Sequence, residues 1–148
     1  MPSTYISLYY HLIFSTKLRE ATILPEWRER LHEYMGGILR GLEGKPMGIG
    51  GTADHVHVLA SLKATHCLAD VARELKRSSS IWVAENTTQT GFKWQEGYAG
   101  FSVSASKVKT VQQYIAGQEE HHRVKTFREE LVEFLEKAGV TYDERYLD

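Results

Sequence analysis

Cysteine is almost missing from this 148-residue chain: Cys67 stands alone, so neither an internal disulfide nor a CxxC metal knuckle can form. The expected setting is therefore the reducing cytoplasm. No run approaches the ~18 apolar residues of a membrane span, and the N-terminus lacks a basic region followed by an apolar one, so membranes and secretion are not expected. Net charge is also lacking, with 18 Lys and Arg against 19 Asp and Glu. That balance argues against gripping long duplex nucleic acid by bulk electrostatics and leaves only local DNA contacts. What remains is 42% apolar and 25% charged, the composition of a globular protein. A chain this long buries a core without staples. One domain over 1–148 is expected, with no internal repeat, low-complexity tract or linker.

Residues 5–16 (YISLYYHLIFST) are rich in β-branched and aromatic side chains and predict a long strand. Pro25 opens a segment in which Leu24, Trp27, Leu31, Tyr34, Met35, Ile38, Leu39 and Leu42 recur at helical spacing, predicting a helix over 25–42. Residues 47–52 and 55–62 predict a hairpin turning near Ala53 and Asp54. Leu68, Val71, Ala72, Leu75, Ser79, Trp82 and Val83 mark a second helix, about 66–85, with Thr65 as its expected cap. Trp94–Ser104 (WQEGYAGFSVS) predicts a bent or bulged strand around two glycines. Ser106 is expected to cap a helix running through Val108, Val111 and Ile115 to His122. Thr126 and Glu129 satisfy a capping box for a further helix that Gly139 ends. The order is that of an α+β, ferredoxin-like βαββαβ antiparallel sheet, with its first and third strands central and a C-terminal helical extension at about 124–148. The first two helices cover one sheet face; the other must be covered by a later helix, from this chain or from a second copy.

Chemistry concentrates in two segments. In Asp54-His55-Val56-His57-Val58-Leu59, strand alternation puts both imidazoles on one face, where they can share a divalent ion if further ligands complete the shell. In the segment Tyr114–His122 (YIAGQEEHH), helical spacing puts Tyr114 and Gln118 together, with His121 and His122 further along the same polar stripe. Val108, Val111 and Ile115 form the apolar face beside it, so Tyr114 stands at the edge of the buried side.

Together DHVHVL and YIAGQEEHH resemble the signature of the single-tyrosine HUH (His-hydrophobic-His) transposases of bacterial insertion sequences and their REP-associated relatives. The opening YYHLIFSTKLRE and WQEGYAGFSVS look like that family as well, in the right order and over nearly the whole chain. The resemblance implies His55, His57 and Gln118 as ligands of Mg²⁺ or Mn²⁺, and Tyr114 as the nucleophile that cuts single-stranded DNA through a 5′-phosphotyrosine. It also implies hairpin or palindromic DNA as partner, a homodimer whose sites can be shared between subunits, and a bacterial protein on the nucleoid when DNA-bound. Lys17, Arg19, Lys76, Arg77, Lys107 and Lys109 are the candidate DNA contacts. The chain departs from the family's common pattern at Ala53, where proline is frequent, and in its acidic tail after Gly139. His11, His121 and His122 have no assigned role. Two other readings stand beside this one: a domesticated module that binds a hairpin without cutting, and a small metal hydrolase, which lacks an evident carboxylate beside the histidine pair.

Overall fold

The computed structural model describes residues 3–147, leaving both extreme ends of the expected domain outside the description. Strands β1 (Tyr9–Ser15), β2 (Lys45–Gly51), β3 (His55–Ser61) and β4 (Ala99–Val103) form one antiparallel sheet in the order β2-β3-β1-β4. The first and third strands are central, as the α+β, ferredoxin-like reading expects. Helices α1 (Pro25–Gly41) and α2 (Leu68–Asn86) cover one face; α3 (Val108–Ala116) and the short α4 (Gln118–His121) follow β4, and α5 (Phe127–Lys137) closes the chain's helical part. No helix of the described residues is long and apolar enough to cross a membrane.

Alternation along the central strands sorts two populations of side chains. Leu12 and Phe14 of β1 and Val56, Val58 and Ala60 of β3 point to one core, where they meet Trp27, Leu31, Met35 and Leu39 of α1 and Val71, Leu75 and Val83 of α2. Trp94 enters the same core and donates its indole N–H to Ser79 Oγ at 2.9 Å, which satisfies both polar atoms there. The alternate residues, His11 and Ile13 of β1 and His55 and His57 of β3, face the opposite side. In register, Ile13 lies across from His57 and Ser15 from His55.

That opposite face is covered within the chain. Phe127, Leu131 and Leu135 of α5, each 8% exposed or less, pack with Ile13, Ala99 and Phe101. Burying side chains of this size contributes about 1.5–3 kcal/mol each, so α5 is an anchored layer of the fold. Its start is fixed by the expected capping box: Thr126 Oγ1 accepts from the Glu129 N–H at 3.2 Å. Gly139, at φ +69°, stands just beyond its end.

Several boundaries differ from the expectations. Regular pairing in β1 begins at Tyr9 instead of Tyr5. The α2 helix starts at Leu68 behind Cys67, with no side-chain cap, so Thr65 does not take that role. The expected strand over 94–104 is divided: Trp94 makes an isolated bridge with Thr16, the chain turns at Gly97 (φ +79°), and only Ala99–Val103 joins the sheet. Ser106 lies in a single 3₁₀ turn, its hydroxyl 3.3 Å from that of Ser104, and caps no helix.

Candidate active site

The helix expected to run unbroken to His122 stops at Ala116, pauses at Gly117 and resumes at Gln118. It also lies unusually close to the sheet. A Cβ on Gly50 of β2 would stand 2.6 Å from the Ile115 carbonyl oxygen, so glycine is what lets the backbones of α3 and β2 approach this far. Gln112 tightens the same contact by donating to the Met47 carbonyl at 2.7 Å. The result carries Tyr114 and Gln118 over the histidine-bearing face of β3.

His55 and His57, both fully buried, have ring centroids 5.2 Å apart. His55 Nδ1 lies 2.8 Å from the Asp54 carboxylate, which can only accept, so Nδ1 carries a proton. In the neutral ring the lone pair of Nε2 then points at Gln118 Oε1, 2.8 Å away. The Gln118 amide cannot be reversed to relieve this, because its N–H₂ faces Glu130 Oε2 at 3.1 Å. Two acceptors thus confront each other unless a proton or a metal cation lies between them. Asp54 orienting a histidine whose far nitrogen faces Gln118 and Glu130 is the arrangement of a carboxylate behind a metal-binding imidazole. Two imidazoles, an amide oxygen and a carboxylate form a donor set that can hold a divalent cation, with the oxygens of the kind Mg²⁺ and Mn²⁺ take, and in this respect the residues fit the expected ion.

His57 is fixed from both ends. Its Nδ1 lies 2.7 Å from His11 Nε2 and its Nε2 2.9 Å from Glu130 Oε1. Burial, opposed by Glu130, lowers His57 to about 4, while burial and the His57 charge lower His11 to about 3; both are neutral near pH 7.

Glu130 was not singled out in the sequence, yet its carboxylate is the hub of the site. It is 1% exposed; Oε1 also lies 3.7 Å from His55 Nε2, and Oε2 receives the Tyr114 hydroxyl and lies 3.3 Å from His122 Nε2. Burial alone would raise its pKa, but hydrogen bonds from His122, His57 and Tyr114 hold it well below the usual carboxylate range. His122 is correspondingly pushed up: burial opposes its charge, and Glu130 outweighs burial. His55, His122 and Glu130 each offer a ligand atom within 4.8 Å of the others. The signal for Glu130 was its position: it interrupts the α5 stripe of Phe127, Leu131, Phe134 and Leu135 with a charge.

Tyr114 is half-buried. Burial and the Glu130 carboxylate push its phenol far above the ordinary tyrosine range, and its hydroxyl lies 3.1 Å from His121 Nε2. Phe127 stacks on His55 at 4.5 Å and Phe134 packs edge-on against Tyr114 at 5.7 Å, so aromatic rings wall the polar cluster. His55, His57, Gln118 and Tyr114 all converge in one chain.

The basic residues do not converge there. Lys76 and Arg77 line an open groove of about 560 Å³ on α2, with Arg73, Lys93, Phe92 and Tyr98. Lys76 Nζ donates to the Gln95 carbonyl at 2.9 Å and to that of Gly97, and Arg77 pairs with Glu74. Lys17 and Arg19 lie in a 3₁₀ turn tied to the groove's rim by the Lys17 N–H to the Lys93 carbonyl, 2.9 Å. Lys107 and Lys109 stand apart, at the start of α3.

Two solved structures share this architecture. A candidate transposase from Deinococcus radiodurans R1 is 25% identical, with a TM-score of 0.65 over 80% of this chain and 95% of that one. A REP-associated tyrosine transposase bound to a REP hairpin is 14% identical and matches in fold, with a TM-score of 0.61 over 82% of this chain and 73% of that one. No curated protein matches the sequence. The IS200-like transposase profile matches residues 4–118, more than three quarters of the chain and the span that carries His55, His57, Tyr114 and Gln118, and the protein belongs to that family.

Proposed function

We propose that this transposase cleaves and rejoins single-stranded DNA, with Tyr114 as nucleophile and with His55, His57 and Gln118 holding Mg²⁺ or Mn²⁺. The observation that carries the reading is the meeting of half-buried Tyr114 with buried Gln118, His55 and His57 in one cluster. When bound, the cation withdraws charge from the scissile phosphate. Tyr114 Oη forms a bond to phosphorus as the bond to the 3′ oxygen breaks, giving a 5′-phosphotyrosine and a free 3′ hydroxyl. The phenol gives up its proton in that step, and the departing 3′ oxygen gains one. Attack by another 3′ hydroxyl reverses the sequence and rejoins strands, so no nucleotide cofactor is consumed. Asp54 holds the His55 tautomer and His11 orients His57.

Hairpin or palindromic DNA is the proposed partner, in line with the structural relative bound to a REP hairpin. The groove along α2 offers Arg73, Lys76, Arg77 and Lys93 for phosphates and Phe92 and Tyr98 as stacking surfaces. Lys17 and Arg19 extend that surface, and Lys107 and Lys109 would touch a strand approaching α3. A homodimer would bring together the two tyrosines needed to join two cut ends, each site being built from its own chain. The setting of such a reaction is the bacterial cytoplasm, on the nucleoid.

The test is a covalent adduct that survives SDS, formed with Mn²⁺ or Mg²⁺ on single strands bearing the imperfect palindromes that flank the gene. Wild type should form it and Tyr114→Phe should not. Equal adduct from both proteins would remove Tyr114 as nucleophile. Tight hairpin binding with no adduct, unchanged by EDTA or His57→Ala, would instead identify a non-cleaving hairpin-binding module.

A further inference from the structure

We propose that Glu130, on α5 and beyond the span matched by the family, is an additional protein ligand of the metal held by His55, His57 and Gln118. This rests on the metal reading above.

Spacing is the first argument. At metal–donor distances near 2.1 Å, neighbouring donors of an octahedral shell lie about 3 Å apart. Here His55 Nε2 and Gln118 Oε1 are separated by 2.8 Å, and Glu130 Oε1 lies 2.9 Å from His57 Nε2 and 3.7 Å from His55 Nε2. Charge is the second. Two imidazoles and an amide are neutral, so a divalent ion among them would have no protein anion of its own; the Glu130 carboxylate supplies one, and oxygen donors of this kind suit Mg²⁺ and Mn²⁺. Chemical surroundings are the third. A carboxylate 1% exposed among His55, His57, His122, Gln118 and Tyr114 is placed where a cation would compensate it.

A competing role is that of a plug, with Glu130 holding the place of the scissile phosphate until α5 withdraws. The fold disfavours it. Phe127, Leu131 and Leu135 seal α5 onto the sheet face, so withdrawal would strip the second core open. The two oxygens of Glu130 also divide their work, Oε1 toward the histidine pair and Oε2 toward Tyr114, so one carboxylate would couple the ion to the nucleophile without leaving its place.

The experiment is a Mn²⁺ titration of the full chain without DNA, by calorimetry and by the EPR signal of free Mn²⁺. Glu130→Gln, which keeps shape and loses charge, should bind Mn²⁺ at least about 10-fold more weakly than wild type, as removal of metal-site support does. Unchanged or tighter binding by a folded Glu130→Gln overturns the proposal and favours the plug, especially if the DNA adduct then forms faster. Should that variant fail to fold, wild-type crystals grown with Mn²⁺ decide: an anomalous peak bonded to Glu130 supports the assignment, and one held by the histidines with Glu130 swung away refutes it. Controls separate the two levels of the argument. Mn²⁺ binding by wild type together with a failed adduct assay indicts the nucleophile and not the ligand. No Mn²⁺ binding by wild type, or none lost in His57→Ala, would overturn the metal reading itself and this inference with it.

Discussion

Replacing Gly50 by alanine tests how tightly the position of Tyr114, the proposed nucleophile, depends on one backbone contact. The new Cβ would meet the Ile115 carbonyl oxygen at 2.6 Å and Ile115 Cγ2 at 3.0 Å. The oxygen is backbone and cannot rotate aside, so α3 must move by roughly 0.4 Å or more to reach a merely tight contact. Tyr114 is the adjacent residue and Gln118 lies one turn on, so both move away from His55 and His57. Overpacking of this kind costs about 1–3 kcal/mol, and a misplacement approaching 1 Å can cost on the order of 100-fold in rate. Gly50→Ala should therefore form the DNA adduct about 10–100-fold more slowly and melt about 2–12 °C lower. The control lies in the same strand: a Cβ on Gly48 meets nothing closer than Gln112 Cγ at 3.7 Å. Gly48→Ala should stay within about 0.5 kcal/mol of wild type. Wild-type rates in Gly50→Ala, or equal damage from both substitutions, would refute the idea that this close approach places the tyrosine.

Two further outcomes follow from the buried histidines. Burial, first among the causes, lowers His11 to about 3 and His32 and His57 to about 4, so these groups take up protons more readily in the unfolded chain. Their stabilising effect is complete above about 6.5 and is lost as pH falls below it, by of order 2 kcal/mol each between pH 7 and 5, whereas His122, raised by Glu130, opposes the trend. The urea midpoint of the metal-free protein should fall over that interval, and a flat or rising midpoint would contradict the assignment. His11→Ala removes the 2.7 Å partner of His57 Nδ1 and should weaken Mn²⁺ binding about 10–100-fold, read by calorimetry; unchanged affinity would mean that His11 does not orient the ligand.

The parts of the site readable in advance were those governed by local period. The two-residue alternation of β3 put His55 and His57 on one face, and the apolar stripes of α1 and α2 named Leu31, Met35, Leu75 and Val83 as core. Tyr114 and Gln118 shared a stripe for the same reason. The break at Gly117 was not readable, because the stripe continues across it and the pause depends on how α3 seats on β2. Thr65 and Ser106 looked like caps, but no side-chain hydrogen bond to a helix start forms at either place. A charge in a first helical turn reads as a solvated dipole partner, which hides Glu130 from a local reading of the sequence. Its role emerges only when α5 folds over the sheet, a contact between residues 73 positions apart in the chain.

Self-sufficiency of the single chain bears on reaction order. On the proposed mechanism, with the phenol, the amide and both imidazoles drawn from one polypeptide, nicking would need no encounter between proteins, and its rate per molecule should survive extensive dilution. Joining two severed ends would differ, since on that mechanism two loaded tyrosines have to meet. Lowering protein concentration should therefore leave cut strands to accumulate, attached and waiting, while exchange between them slows.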